Sequence, residues 1–364
     1  MKKVRKYITA TVVMIAVLTL LTACGNKWEK HYELGTKYLN DGNYQEAVVE
    51  FTAAIELDEK KPDAYEQRAN AYLLLAEMDK TARDEFTELT REELKQNAEA
   101  DFSQAIELGT EKEDTFFRLA EFYQEKGDLD ASLEILETGY ERTQSDAIKE
   151  LMEQVREQKQ IRETLQNSKV GDTVKFGSYD DKEMEWLVLE ANNNERLLFE
   201  KHYLFSRAYC TEEEIAEAEE NGKLLVAWKD CELRRWLNSK FYNDSFNSAE
   251  KYFITKSKIN NHKSPYNQKD TKDWVYILSH DEYDSCLDLF SSLYGPHGAV
   301  VGREGEGDTL DSILEHKGAI KLRLDYVDEI QPWVSFVNHY GIPDARSVMQ
   351  NQELQIRPVV RVEF

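Results

Sequence analysis

Thiols, imidazoles and clustered carboxylates are the groups in this chain that could carry chemistry, and their spacing restricts what they can do. Cys24 closes an apolar run near the start, and only Cys210, Cys231 and Cys286 follow it. Three is an odd number, so at least one of them stays outside any intramolecular disulfide. No C-x-x-C occurs, and no histidine stands at zinc-ligand spacing from any of the three. They read either as isolated small apolar side chains or as a Cys210–Cys231 bridge with Cys286 left over. The histidines at 31, 202, 262, 280, 297, 316 and 339 form no H-E-x-x-H, which favours surface or capping roles over a metal site. The segment Gly295–Asp311, GPHGAVVGREGEGDTLD, has five glycines among Glu304, Glu306, Asp308 and Asp311. Calcium wants six to eight oxygens, but the periodic ligand order of an EF-hand is missing and a solvated insertion is the stronger reading. No G-K-[ST] follows the glycines, and there is no Gly-x-Ser-x-Gly elbow or dinucleotide fingerprint. The sequence therefore assigns no catalytic residue, no metal and no cofactor.

Cys24 is different. Lys2, Lys3, Arg5 and Lys6 precede an apolar stretch from Ile8 to Ala23 that ends in Leu21-Thr22-Ala23-Cys24-Gly25. Sixteen residues fall short of the ~20 that a membrane-spanning helix needs, so the stretch reads as an export signal. Its end resembles the lipobox of bacterial lipoproteins. The resemblance implies that residues 1–23 are removed, that Cys24 takes a diacylglyceryl group, and that 24–30 are a linker. Two acyl chains hold a protein at a bilayer where one does not. The expected location is the extracytoplasmic face of the cell membrane; the alternative is an ordinary secretory signal with a chance cysteine.

The elements that must position any site fall into two groups. The chain has 364 residues, 41% apolar and 32% charged, with 46 basic residues against 70 acidic ones and a formal charge of −24. That length suits two domains, the composition excludes collagen-like and disordered classes, and the charge opposes nucleic acid as a partner. From His31 to Gln166 the apolar residues repeat with a helical period and Pro62 is the only proline. Leu34, Gly35, Tyr38, Gly42, Tyr44, Ala47, Phe51 and Ala54 alternate small and aromatic residues, and Gly35 to Ala69 and Tyr38 to Tyr72 are steps of 34. This pattern resembles the tetratricopeptide repeat. A second unit, with Tyr65, Ala69 and Tyr72 and then Ala98, Phe102 and Ala105, is interrupted by a charged stretch, Glu77 to Gln96, which reads as an extended or extra helix. A third carries Phe116, Leu119, Ala120, Tyr123, Gly127, Leu129, Ser132 and Leu136, and a charged helix near Ser145–Gln166 closes the series. The resemblance implies a short solenoid with a groove for a protein partner; a spacer role is the alternative. Few basic residues would line that groove, so a clamp for a target's carboxylate is not evident.

At Val170 the pattern becomes short alternating β-branched and aromatic runs, with Gly171-Asp172, Gly177-Ser178 and Asn192-Asn193-Asn194 as turn signals. WKDCELRRWLNSKFYNDSFNSAEKYFI follows. The motif W-x-x-S-x-L-R-x-W-L-N is matched by Trp228, Leu233, Arg234, Trp236, Leu237 and Asn238, with Cys231 in the serine position. Together with Val170–Tyr179, Trp186–Leu189, Thr271, Asp273, Val275–Ser279, Val337, Gly341, Arg357 and Pro358, it resembles an uncharacterised domain of exported bacterial proteins over residues 169–364. One element departs: where the family carries W-W-L-R-S, this chain has only Lys321-Leu322-Arg323. The domain is distantly similar to the formylglycine-generating-enzyme and C-type-lectin-like fold, which implies a loop-rich α+β unit that binds glycans or proteins. The copper-binding cysteine pair of that group's enzymes has no counterpart in Cys210, Cys231 or Cys286, so the activity is not implied.

The expected architecture is an all-α solenoid (31–166) followed by an α+β domain (169–364). Trp228, Leu233, Trp236 and Leu237 are spaced as one stripe of a helix, either core or a surface aromatic platform. Arg234 and Arg357, with Arg323, suit loop anchoring, or else a ligand carboxylate or phosphate. Three functions fit: an adaptor working through its repeats, glycan or cell-wall binding by 169–364 with the repeats as a stalk, or an enzyme on 169–364.

Overall fold

The computed structural model describes residues 27–84, 86–202, 204–222, 226–259, 270–294, 320–321, 334–337, 343–346 and 354–364. Cys24, Arg323 and the segment 295–311 lie outside them. The chain divides into two compact units after Arg156.

The first unit is helical: α1 (27–40), α2 (Tyr44–Leu57), α3 (Pro62–Glu77), α4 (Lys80–Asp84), α5 (Arg91–Glu107), α6 (Glu113–Glu125), α7 (Leu129–Thr143) and the start of α8 (Asp146–Asn167). The small residues act where the helices touch. A Cβ on Gly35 would sit 2.8 Å from the Phe51 ring, and one on Gly139 would sit 2.8 Å from Phe116 and 3.1 Å from Ile148. Both rings are fully buried, each gaining roughly 1.5–3 kcal/mol from burial. Arg68 fastens the second pair to the first. Its Nε and one terminal nitrogen donate to the two Asp101 oxygens at 2.7 Å, and the other terminal nitrogen donates to Thr52 Oγ1 at 3.0 Å. The charged stretch from Glu77 to Gln96 holds a short extra helix, α4, and the first turns of α5, which extends back to Arg91. Thr90 starts that helix because its hydroxyl accepts from the Glu93 N–H while the Glu93 carboxylate accepts from the Thr90 N–H, a capping box.

The second unit is strand-rich. β1 (Thr173–Tyr179), β2 (Lys182–Asn192) and β3 (Glu195–Glu200) form an antiparallel meander. β4 (Phe205–Arg207), β5 (Ile254–Thr255), β6 (Ser257–Ile259), β7 (Thr271–Asp273), β8 (Val275–Tyr276), β9 (Ile320–Lys321), β10 (Val334–Val337), β11 (Pro343–Arg346), β12 (Leu354–Ile356) and β13 (Val359–Glu363) follow. The main sheet has the order β1-β2-β3-β13-β5, with β8 also pairing β13. A second sheet runs β11-β10-β9-β12-β4, and β6-β7 is a separate ribbon. The last strand is thus central, and Val359, Val360 and Val362 are fully buried in it.

Gly177 was expected in a turn, but it lies inside β1, where the register shifts between Lys175 and Ser178. Its φ is +75°, and a Cβ there would meet Met184 at 2.6 Å and Phe246 at 2.7 Å. Only glycine fits a left-handed bulge so tightly covered. The β1–β2 turn is made instead by Asp180 and Asp181, both at positive φ. Arg196 closes the end of α8: its guanidinium donates to the carbonyls of Gln166 at 3.0 Å and Ser168 at 3.1 Å.

Candidate functional site

In the helical unit a cavity of about 340 Å³ opens between α3, α5 and α6. Leu73, Ala76 and Phe122 are its apolar wall, and Glu77, Arg91, Lys95, Arg118, Glu121 and Glu125 are its rim. Two of the rim cations are engaged. Arg91 Nε donates to the Ala76 carbonyl at 2.8 Å, which satisfies the open end of α3, and Lys95 Nζ lies 2.7 Å from Glu125. Arg118 reaches Asp114 at 3.7 Å and Glu121 at 3.9 Å, contacts worth little at an exposed surface. An apolar wall beneath a mixed-charge rim can hold an amphipathic segment. It offers no nucleophile.

Elsewhere in this unit Glu66 is buried, yet its oxygens are occupied. It accepts from the hydroxyls of Thr110 and Thr115 and from Lys112 Nζ, which also bonds Asp63 at 2.7 Å. Burial opposes the charge of Lys112, but the bonds to Asp63 and Glu66 outweigh it and raise the ammonium's pKa.

In the strand-rich unit the signature residues converge on one carboxylate, Asp273, which is fully buried. Its Oδ2 accepts from Trp228 Nε1 at 2.8 Å and Thr271 Oγ1 at 2.7 Å, and its Oδ1 accepts from Arg234 Nε at 2.7 Å and a terminal nitrogen at 2.6 Å. Arg234 also donates to the Lys229 carbonyl at 3.0 Å. Asn238 continues the latch: its amide donates to Arg234 and Val275 carbonyls and its oxygen accepts from the Trp274 and Val275 N–H groups. Leu233, Leu237 and Trp236 are buried beside it. They do not share one regular helix. Trp228 opens a 3₁₀ turn, Glu232–Trp236 is one short helix, and Leu237–Phe241 is a π turn. Arg207 lies 4.4 Å above the Trp236 ring. Arg357 is buried, donates to the Glu200 carbonyl at 2.8 Å and sits 4.2 Å over Phe199. Arg234 and Arg357 therefore both spend donors on backbone carbonyls, as anchors do.

Cys210 and Cys231 are buried thiols and do not form a bridge, and Cys286 is half-buried. Burial pushes the Cys231 thiol up to about 12 and raises Cys286, which makes both poor nucleophiles. His31 lies 2.6 Å from Glu50 and His202 3.4 Å from Glu185. Among the described residues no group of three or more metal-ligating side chains occurs, and no helix is long and apolar enough to cross a membrane. Spacing gave no warning of Glu200. It is 1% exposed, its Oε1 accepts from the His202 N–H at 3.1 Å, and its Oε2 has no hydrogen-bond partner among the described residues. Burial, only partly offset by the His202 N–H and Arg357, pushes its carboxyl up to about 8. Its position after the apolar run Leu197-Leu198-Phe199 on β3 was the available signal.

Residues 31–61 match the model of the tetratricopeptide repeat, and residues 186–363 match that of a domain of unknown function (DUF6273). Tetratricopeptide repeats and a domain of unknown function are thus both present. Among curated proteins none matches the chain. Similar solved structures include the Arabidopsis OM64 tetratricopeptide domain (18% identity, 36% of this chain and 95% of that one, TM-score 0.29). Others are the second such domain of human RPAP3 with an HSP70 peptide (19%, 36% and 98%, 0.29) and the Yersinia enterocolitica secretion chaperone SycD with a YopD peptide (15%, 37% and 95%, 0.28).

Proposed function

We propose that this protein is a lipid-anchored, extracytoplasmic adaptor whose tetratricopeptide repeats hold a protein partner. The repeats make a protein-interaction module, and the cavity between α3, α5 and α6 is the observation that carries the reading. In this reading Cys24 bears the lipid, and residues 169–364 form a C-type-lectin-like module. The partner's chemistry follows from charge. Residues 27–156 hold 33 acidic against 16 basic side chains, which favours a basic segment over an acidic tail. Such a segment, folded as an amphipathic helix, places its apolar side chains on Leu73, Ala76 and Phe122 and its cations at Glu77, Glu121 and Glu125. The RPAP3 and SycD structures show peptides on proteins of similar type.

Crosslinking in intact cells tests the reading. The anchored protein captures a defined partner, Glu121→Lys with Glu125→Lys abolishes the capture, and Cys24→Ser releases the protein from the membrane fraction and from lipid labelling. Capture that survives both charge reversals and the loss of residues 31–166 sinks the adaptor reading. The reading of 169–364 as a glycan or cell-wall binder, with the repeats as a stalk, is favoured by one surface feature of the strand-rich unit.

A further inference from the structure

That feature is the outer face of the β6–β7 ribbon. Alternation buries Ser257, Ile259, Thr271 and Asp273 and turns Lys258 and Lys272 outward. The two lysines are direct cross-strand partners, which brings their Cβ atoms to about 4.5–5.5 Å and sets like charges against each other. Lys258 has Asp270 at 3.1 Å; Lys272 has no carboxylate partner among the described residues. Two residues before Lys258, Lys256 Nζ stands 4.7 Å over the Trp274 ring. Trp274 stacks on Tyr242 with centroids 5.3 Å apart and planes 10° from parallel, and Lys251 Nζ lies 5.2 Å over Tyr242. Lys251, Lys256, Lys258 and Lys272 thus stand on this ribbon and its adjoining ring pair, Lys251 also donating to the Asn243 carbonyl at 3.2 Å, in a chain whose net charge is −24.

We propose that this stripe binds a linear phosphodiester polymer of the poly(glycerol phosphate) kind. The inference rests on the wall-binding reading of the strand-rich unit and gives that reading its ligand class. Three features select the ligand. Asp270 pairs with Lys258, and the like charge left at Lys272 is one that an anion on the outer face neutralises. The two rings stack on each other and each has an ammonium group over it, so the pair offers no bare platform to a neutral sugar or a nucleobase. Residues 157–364 hold 37 acidic against 26 basic side chains, and a flat anionic bilayer would press those carboxylates against its headgroups. A thread touches the stripe alone, and at physiological salt the surrounding charge is screened beyond about 8 Å.

The test uses the chain from residue 27, which contains every described element, titrated with fluorescent poly(glycerol phosphate). At about −0.7 per phosphate contact, four contacts predict roughly 50-fold weaker binding at 200 mM than at 50 mM salt. Lys258→Glu with Lys272→Glu weakens binding at least tenfold while circular dichroism and the melting curve are retained. The same two reversals at Lys37 and Lys60 leave binding within twofold. Absence of binding, equal loss in both variants, or retention in the ribbon variant overturns the proposal. So does tighter binding, per phosphate, of phosphatidylglycerol vesicles or of an oligothymidylate. Binding of neutral peptidoglycan fragments by 27–364, unaffected by the ribbon variant, overturns the polymer but leaves the wall-binding reading standing.

Discussion

The two units treat a buried glutamate in opposite ways. In the helical unit Glu66 is 2% exposed and two threonines and Lys112 fill its oxygens. In the strand-rich unit Glu200 is 1% exposed, with one oxygen meeting a backbone N–H and the other meeting no donor among the described residues. The first arrangement gives a buried carboxylate donors for its oxygens; the second leaves one oxygen unmet, and burial there favours the protonated form. The contrast extends to how the units close. The polar contacts of Glu66 in the helical unit span 44 to 49 positions, whereas Arg357 bonds the Glu200 carbonyl 157 positions away and β13 completes a sheet begun near residue 173. The strand-rich unit therefore depends on a few long-range polar contacts, and its stability should respond to single substitutions and to pH more sharply than that of the repeats.

Removing the latch is the largest test. Asp273→Ala leaves the Arg234 charge and the Trp228 N–H without their acceptor, and truncating one partner of such a buried pair costs about 3–5 kcal/mol. Denaturation followed by tryptophan fluorescence should show that loss, with the helical signal at 222 nm melting as before. A loss below about 1 kcal/mol would show that the signature is held by packing and not by its carboxylate.

Glu200 sharpens the same comparison through pH. Its folded pKa of about 8 lies above the ordinary value of 4.5, so the folded state holds its proton more tightly than the unfolded chain. The linkage sign follows: stability falls as pH rises from about 4.5, and the full penalty is reached above about 8. At 1.36 kcal/mol per pH unit the drop is on the order of 3–5 kcal/mol. Glu200→Gln should flatten the dependence in the strand-rich unit. An unchanged slope in the variant would assign the effect elsewhere.

In the repeats the sensitive points are steric. Gly35→Ala places a methyl 2.8 Å from Phe51 and should cost about 1–3 kcal/mol by overpacking, seen as a lower melting point of the helical transition alone. The smallest effect is on the ribbon. Lys272→Glu replaces a like-charge pair with an attractive one and should stabilise the strand-rich unit by about 0.2–1 kcal/mol, read in low-salt denaturation and shrinking as salt is added. A stabilised variant that no longer binds the polymer would show that the repulsion is kept for function.

Much of the helical unit was legible because its information is local. The 34-residue steps, the small residues at Gly35, Ala69 and Ala120 and the aromatic at Phe51 lie on helices whose period fixes which face they share. The charged interruption carries the short helix α4 and the start of α5, as its Lys, Glu and Arg content implies, but nothing in that composition says that a new cap starts at Thr90. In the second unit Trp228, Arg234 and Asn238 stood out as a motif, and so did Asp273, but nothing showed that the four residues form one network. The Gly177 bulge was misplaced because glycine marks both turns and bulges, and the cover of Met184 and Phe246 decides between them.

By itself, the sequence determined the division into a helical and a strand-rich half, the helix faces and the acidic balance, since each depends on residues within a few turns of one another. Tertiary structure decided that Asp273 would receive Trp228 and Arg234, that Glu200 would lose water without gaining a second donor, and that Lys258 would face Lys272. Those outcomes depend on strand register and on which distant segments meet. A one-residue slip in register turns every side chain to the opposite face, and no local spacing records it.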